Sequence, residues 1–275
     1  MSAQGTVGSL PLTALVEAYD HVLLDLDGCV RLGEDATPRA DEALAALRAA
    51  DRGIAFVTNG VDLMPEEVVR QLWGLGVRAS AQEVVTVGGA LQHALAEGAW
   101  ERCFVIGGPA VHRHAELSGV TVANRTHRPS HADVVVVAAH EGFDYAELRT
   151  ATRAVLEEGA DVLAAGRDAT YPMPDGAWPG TGPLVAAIEV ATGTTARSVG
   201  KPEPDLFRTA LDRLGGGRAL VVGDRLDSDA AGARATGLDA AIVLSGVTGP
   251  AAAQAALDAA ELVAIAPTLA DLVLA

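Results

Sequence analysis

The feature that most constrains this chain is the stretch Val22-Leu23-Leu24-Asp25-Leu26-Asp27-Gly28. Its first three residues are a short unbroken apolar run, the pattern of a strand buried on both faces of a parallel sheet. The run stops in two carboxylates separated by one residue, and then a glycine. In open α/β sheets the ligand crevice lies beyond the carboxyl ends of the strands, so Asp25 and Asp27 are expected where chemistry is done. A period of two along the strand turns both side chains to one side. Carboxylates that close repel unless one is protonated or a cation sits between them. Gly28 lets the backbone turn sharply and bring amides near a ligand. Taken alone, the same residues also describe an acidic turn after a buried strand.

Composition removes several function classes. The chain has 275 residues, enough for one large or two ordinary domains, and 49% of them are hydrophobic against 20% charged, so a sizeable core can form. The net charge is −16 and no basic run is present, which argues against a nucleic-acid partner. An acidic protein that binds phosphates needs a metal cation or a few placed bases to overcome its own field. Cys29 and Cys103 give neither a disulfide framework nor metal-ligand spacing, which fits a reducing cytoplasm. Residues 1–11 lack the basic and apolar parts of a signal peptide, and no stretch has the uninterrupted apolar length of a membrane span.

A strand–helix rhythm runs along the chain and predicts an α/β fold. Helix is expected at 12–19, 39–50, 65–74, 145–158, 182–192 and 204–214, and buried strand at 54–57, 84–87, 103–106, 133–139, 161–165, 219–222 and 240–244. The rhythm restarts near Arg102, which suggests a second α/β unit. The segment 169–182, with prolines and glycines in quick succession around Trp178, is expected to be an irregular loop. Other polar groups cluster at strand ends. Thr58-Asn59-Gly60 offers a hydroxyl and amides to an anion, or is an ordinary Asn-Gly turn. Lys201 stands in Gly200-Lys201-Pro202, and Asp224 and Asp229 follow the strand at 219–222.

Together these groups describe a divalent-metal and phosphate site. Mg²⁺ takes oxygen ligands, usually one or two carboxylates with waters and a phosphate oxygen. Asp25 and Asp224 are the expected side-chain ligands, with the main-chain carbonyl of Asp27 as a third, and Asp229 is expected to hold metal-bound water. Lys201 balances phosphate charge. Beside a metal, Asp25 can attack phosphorus, and Asp27 can protonate the leaving oxygen and later activate water.

These residues resemble the haloacid dehalogenase superfamily, whose four motifs stand in order as Asp25-Leu26-Asp27-Gly28, Thr58-Asn59, Gly200-Lys201-Pro202, and Gly223-Asp224-Arg225 through Asp229. Arg31-Leu32-Gly33-Glu34, Phe56-Val57-Thr58-Asn59, Pro179-Gly180-Thr181-Gly182 and Leu244-Ser245-Gly246-Val247-Thr248 narrow the likeness to the class IIA, NagD-like group of 4-nitrophenylphosphatase- and phosphoglycolate-phosphatase-like proteins. The resemblance covers about residues 21–248. It implies a Rossmann-like parallel-sheet core, 1–97 with 197–275, and an inserted α/β cap domain of the class IIA type, 98–196. It also implies a Mg²⁺-dependent phosphatase of small phosphorylated metabolites acting through an aspartyl-phosphate. Asp25 would be the nucleophile and Asp27 the general acid/base. Thr58, Asn59, Lys201 and Gly28 would face the phosphate, and Asp25, Asp27 and Asp224 the metal, steadied by Asp229. The caps of such proteins often mediate homodimers.

The chain departs from the family pattern in three places. Gly60 stands where a second Asn is frequent, Ser228 where Thr is common, and Gly166-Arg167-Asp168 where Asn-Pro-Asp is usual. Arg167 is therefore a candidate contact for a substrate carboxylate or second phosphate, or a solvated surface arginine. The histidines show no spacing of metal ligands. Trp73, Trp100 and Trp178 suit packing. Two alternatives stay open at this point: a phosphotransferase of the same fold, and a silent binding or scaffold protein.

Overall fold

The computed structural model describes residues 10–173 and 176–275. Residues 1–9, on which the signal-peptide expectation mostly falls, lie outside the described residues. The chain forms two compact units: residues up to Val57, Val69–Val84 and Phe207–Ala275 make the first, and Thr58–Val68 with Val85–Leu206 the second.

A six-stranded sheet, which forms the core of the first unit, carries His21–Leu24, Gly53–Thr58 (in the first unit up to Val57), Val84–Thr86 (of which Val84 is in the first unit), Ala219–Gly223, Asp239–Val243 and Ala264–Ala266. Counted in chain order they lie 3-2-1-4-5-6 across the sheet, the order of doubly wound dinucleotide-binding folds. The strand order reverses between His21–Leu24 and Ala219–Gly223, which pair in parallel with Leu24 opposite Val222. Leu24 also stands opposite Phe56. The first and fourth strands therefore release Asp25 and Asp224 at one edge of the sheet, at the switch point where such folds bind ligands. Leu23, Leu24 and Phe56 are fully buried, each stabilising the fold by roughly 1.5–3 kcal/mol. The apolar runs read from sequence are the strands that place the acidic residues.

The second unit has a five-stranded parallel sheet: Arg102–Ile106, Thr121–Val122, Val134–Val137, Asp161–Ala164 and Arg197–Ser198, lying 2-1-3-4-5. Val135 and Val137 pack into a core with Ala151, Ala154, Val155 and, from Thr181–Thr192, Leu184, Val185 and Ile188. The helix Tyr145–Glu158 falls where the sequence predicts it, because its ends are marked. The Asp144 side chain accepts from the Glu147 N–H, and Gly159 adopts φ +74° past its last turn.

The segment 169–182 differs from its expected irregular form. Thr170–Met173 and Gly176–Pro179 pair as an antiparallel ribbon, with Tyr171 opposite Trp178. On a two-stranded ribbon each strand has an open edge, so a proline N that cannot donate costs little there. The short strands Arg31–Leu32 and Asp35–Ala36 form a small hairpin. Trp73 is largely exposed rather than packed, its Nε1–H donated to the Ala79 carbonyl. Among the described residues no helix is long and apolar enough to cross a membrane.

Candidate active site

Asp25, Asp224 and Asp229 converge in the first unit. One carboxylate oxygen of each lies within 4.8 Å of the others, and the three residues are 8%, 1% and 1% exposed. Two unit charges at that distance repel by roughly 3 kcal/mol at an effective dielectric of 20, so the group is costly without a cation. Three hard oxygen donors at a strand-end crevice fit Mg²⁺ better than a softer, nitrogen- or sulfur-preferring metal. Asp229 thus stands beside Asp25 and Asp224, within reach of an ion directly or through a metal-bound water.

Local backbone chemistry sets each of these groups. Asp25 is the first residue beyond its strand, and its N–H is still donated to the Val222 carbonyl at 2.9 Å. Asp224 is packed between glycines. A Cβ on Gly28, which adopts φ +91°, would meet the Asp224 Cγ and Oδ2 at 2.5 Å, and one on Gly246 would meet Oδ2 at 2.0 Å. The Val247 N–H is donated to Asp224 Oδ2 at 2.7 Å, the Thr248 N–H to the Asp224 carbonyl at 3.0 Å, and the Ser245 hydroxyl to the Gly28 carbonyl at 2.6 Å. The stretch Leu244–Thr248, a family signature in the sequence, is therefore the clamp on Asp224. That role shows only when the strand Asp239–Val243 delivers the clamp to the sheet edge. Asp229 rides on a wide π-type turn, Leu226–Ala230. Its Oδ2 accepts from the Arg225 N–H at 3.1 Å, and a Cβ on Gly223 would stand 2.2 Å from its Cγ.

Asp27 does not join the carboxylate cluster. Its side chain is 45% exposed and held by the Arg31 guanidinium, with Nε to Oδ1 at 2.9 Å. Arg31 also donates to Gln71. The Gly28 N–H is donated to the Arg31 carbonyl at 2.7 Å, so Gly28 serves the turn and the Asp224 packing. Arg31 is a residue whose contact with Asp27 sequence reading missed. Its signal was a cation four residues on, across a turn.

The second unit carries the remaining predicted residues. Thr58 is buried, and its Oγ1 accepts from the Gly60 N–H at 2.9 Å, leaving the hydroxyl hydrogen to be donated. A Cβ on Gly60 would sit 3.2 Å from that oxygen, a tight contact that a shift of a few tenths of an ångström relieves. The Asn59 side chain joins Lys201 and Asp168. Its Oδ1 accepts from the Lys201 N–H at 2.8 Å, and its Nδ2 donates to the Lys201 carbonyl at 3.1 Å and to Asp168 Oδ2 at 3.0 Å. Lys201 is 3% exposed. The Arg167 guanidinium pairs with Glu189 at 2.7 Å and donates to the Ala196 carbonyl at 2.9 Å. The Glu189 carboxylate, with the Ala196 N–H as a further donor, holds the guanidinium protonated above its ordinary range and is itself held below the usual carboxylate range. The signature 179–182 braces the same loop. The Gly180 and Gly182 N–H groups are donated to the Ala169 and Asp168 carbonyls, both at 3.0 Å.

Residues 22–121 match the family described as haloacid dehalogenase-like hydrolase, and 198–272 match a HAD-hydrolase-like family. A solved structure, the glycerol phosphate phosphatase of Mycobacterium tuberculosis in complex with magnesium, superposes with a TM-score of 0.82 at 35% identity, covering 93% of this chain and 77% of that one. The chain belongs to the haloacid dehalogenase-like hydrolases. Within that family, the D-glycerol 3-phosphate phosphatase of M. tuberculosis is 36% identical over 86% of this chain, which spans 66% of the relative's length. The p-nitrophenyl phosphatase of Archaeoglobus fulgidus superposes with a TM-score of 0.82 at 25% identity, covering 92% of this chain and 97% of that one. The class IIA likeness read from the motifs stands on these relatives.

Proposed function

We propose that this chain is a Mg²⁺-dependent phosphatase of small phosphate monoesters, with residues 98–196 serving as a cap inserted into a core of 1–97 and 197–275. The observation that carries the reading is the convergence of Asp25, Asp224 and Asp229 within 4.8 Å, all buried. Relatives whose names specify glycerol phosphate and p-nitrophenyl phosphate support it. Asp25, Asp224 and Asp229 would hold the ion, with the Asp27 carbonyl as a further ligand. When bound, the ion supplies charge neutralisation for the transferring phosphoryl group.

The chain's own residues do the covalent work. An Asp25 carboxylate oxygen attacks phosphorus, the phosphorus–leaving-oxygen bond breaks, and Asp27 gives its proton to that oxygen. Water then attacks the aspartyl-phosphate, Asp27 takes the water's proton, and Asp25 returns with release of inorganic phosphate. The Thr58 hydroxyl and the Lys201 ammonium take phosphate oxygens. A cytoplasmic location, no nucleic-acid or membrane partner, and a homodimer through 98–196 go with this reading. Cys29 and Cys103, both buried and outside any disulfide, support the location. Phosphate release from 4-nitrophenyl phosphate and glycerol 3-phosphate, with and without Mg²⁺, tests the function. Wild type is expected to be active only with Mg²⁺ and Asp25→Asn to be inactive. Equal rates for the two proteins, or none for wild type, would leave a binding or transferase role instead.

A further inference from the structure

We propose that the Asn59 side chain is a positioning residue that ties Lys201 to the loop around Asp168, and that it is not a ligand of the phosphate. The inference rests on the phosphatase reading and assigns one of its residues a different task from the one the motif suggests.

A primary amide has two N–H donors and one carbonyl oxygen. Both Asn59 donors are already given to the protein, one to Asp168 Oδ2 and one to the Lys201 carbonyl. Its oxygen accepts from the Lys201 N–H. This also fixes the amide's orientation, since the flipped form would set NH₂ against an N–H donor. Phosphate oxygens need donors, and the Asn59 side chain has none left. The packing is built around the same contacts. A Cβ on Gly200 would stand 2.8 Å from Asn59 Oδ1 and 2.1 Å from the Ala165 carbonyl oxygen. One on Gly166 would stand 2.9 Å from Asp168 Oδ2 and 3.5 Å from Asn59 Nδ2. Two glycines thus leave room for one amide to hold the backbone of Lys201 on both sides and to anchor a carboxylate from the next strand's loop. Through Asn59, the position of a phosphate-gripping lysine depends on residues 165–168.

The test is a charge swap assayed with 4-nitrophenyl phosphate and Mg²⁺. Asn59→Asp alone sets two carboxylates against each other, and kcat/KM is expected to fall by about 100-fold, the size of losing a charged hydrogen bond and leaving its partner unsatisfied. In the double variant N59D/D168N the amide at 168 donates to the carboxylate at 59, which removes the clash with residue 168 but leaves the Lys201 carbonyl without its donor, so about tenfold of the lost activity is expected to return. If Asn59 instead binds phosphate, a carboxylate at 59 repels it whatever stands at 168, and the double variant stays as low as the single one. That result would overturn the proposal. Hydrogen exchange gives a readout that needs no turnover: the Lys201 amide should exchange faster in Asn59→Ala. An inactive wild type would sink the phosphatase reading by itself, and an unchanged Lys201 exchange rate would then sink this one.

Discussion

Replacing Gly28 by alanine separates two jobs that one glycine does. Its φ of +91° lies where L residues are strained, at about 1–2 kcal/mol, and the new Cβ would sit 2.5 Å from the Asp224 Cγ and Oδ2. Ordinary contact begins at 3.4 Å, so something must yield by 3.4 − 2.5, or 0.9 Å. The backbone at Gly28 is tied by its N–H to Arg31, and its carbonyl accepts from Ser245, which leaves the Asp224 carboxylate to move. A displacement of about 1 Å at a reacting centre costs about 100-fold in rate. Gly33 is the control: it also has positive φ, +60°, but nothing lies within 4 Å of an added Cβ. Both variants should lose about 1 kcal/mol or more in urea unfolding. Gly28→Ala alone should weaken Mg²⁺ binding, read by calorimetry, by about tenfold or more and cut kcat by about 100-fold. Wild-type Mg²⁺ affinity in Gly28→Ala would refute the claim that this glycine exists to make room for a metal-holding carboxylate.

Three further outcomes follow from the same contacts. His114 is 2% exposed, with Nδ1 on Gln92 and Nε2 beside Gly88, and burial holds it below its ordinary pKa, against Glu66, which pulls it up. Its folded value lies under the unfolded value of about 6.5, so its contribution is complete above that pH and is lost as pH falls below it; unfolding titrations at pH 5 and 7.5 should show a smaller difference in His114→Gln, and an identical difference would remove the assignment. Burial pushes the Cys103 thiol up to about 11 and Cys29 is buried too, so neither should react with a disulfide reagent at pH 8 until the chain unfolds; rapid labelling of the native protein would contradict this. Arg167→Ala should lower stability by less than about 1 kcal/mol, its pair with Glu189 being partly exposed, and leave KM for carboxylated phosphate esters unchanged; a KM that rises only for those substrates would restore the substrate-contact reading.

The buried strands and the capped helices were legible because apolar runs and terminal residues carry their own signal. Val22-Leu23-Leu24 could only be a covered strand, and Asp144 with Gly159 marked both ends of a helix. What escaped were features decided by partners far along the chain. The ribbon of Thr170–Met173 with Gly176–Pro179 reads as a loop because its prolines obscure a pairing that needs only one edge of each strand. The clamp 245–248 and the glycines facing Asp224 acquire meaning only when the sheet order sets them together. Arg167 and Asn59 were legible as polar groups near the site, but the sequence held no sign that Glu189 and Lys201 would occupy their donors.

Calorimetric titration of Mg²⁺ into the wild type and into Asp25→Asn, Asp224→Asn and Asp229→Asn tests the carboxylate cluster most directly. One ion per chain is expected, bound at least about tenfold more weakly by each variant, since each loses one of three charged ligands. Three variants that bind as the wild type does would mean that these acids do not share an ion.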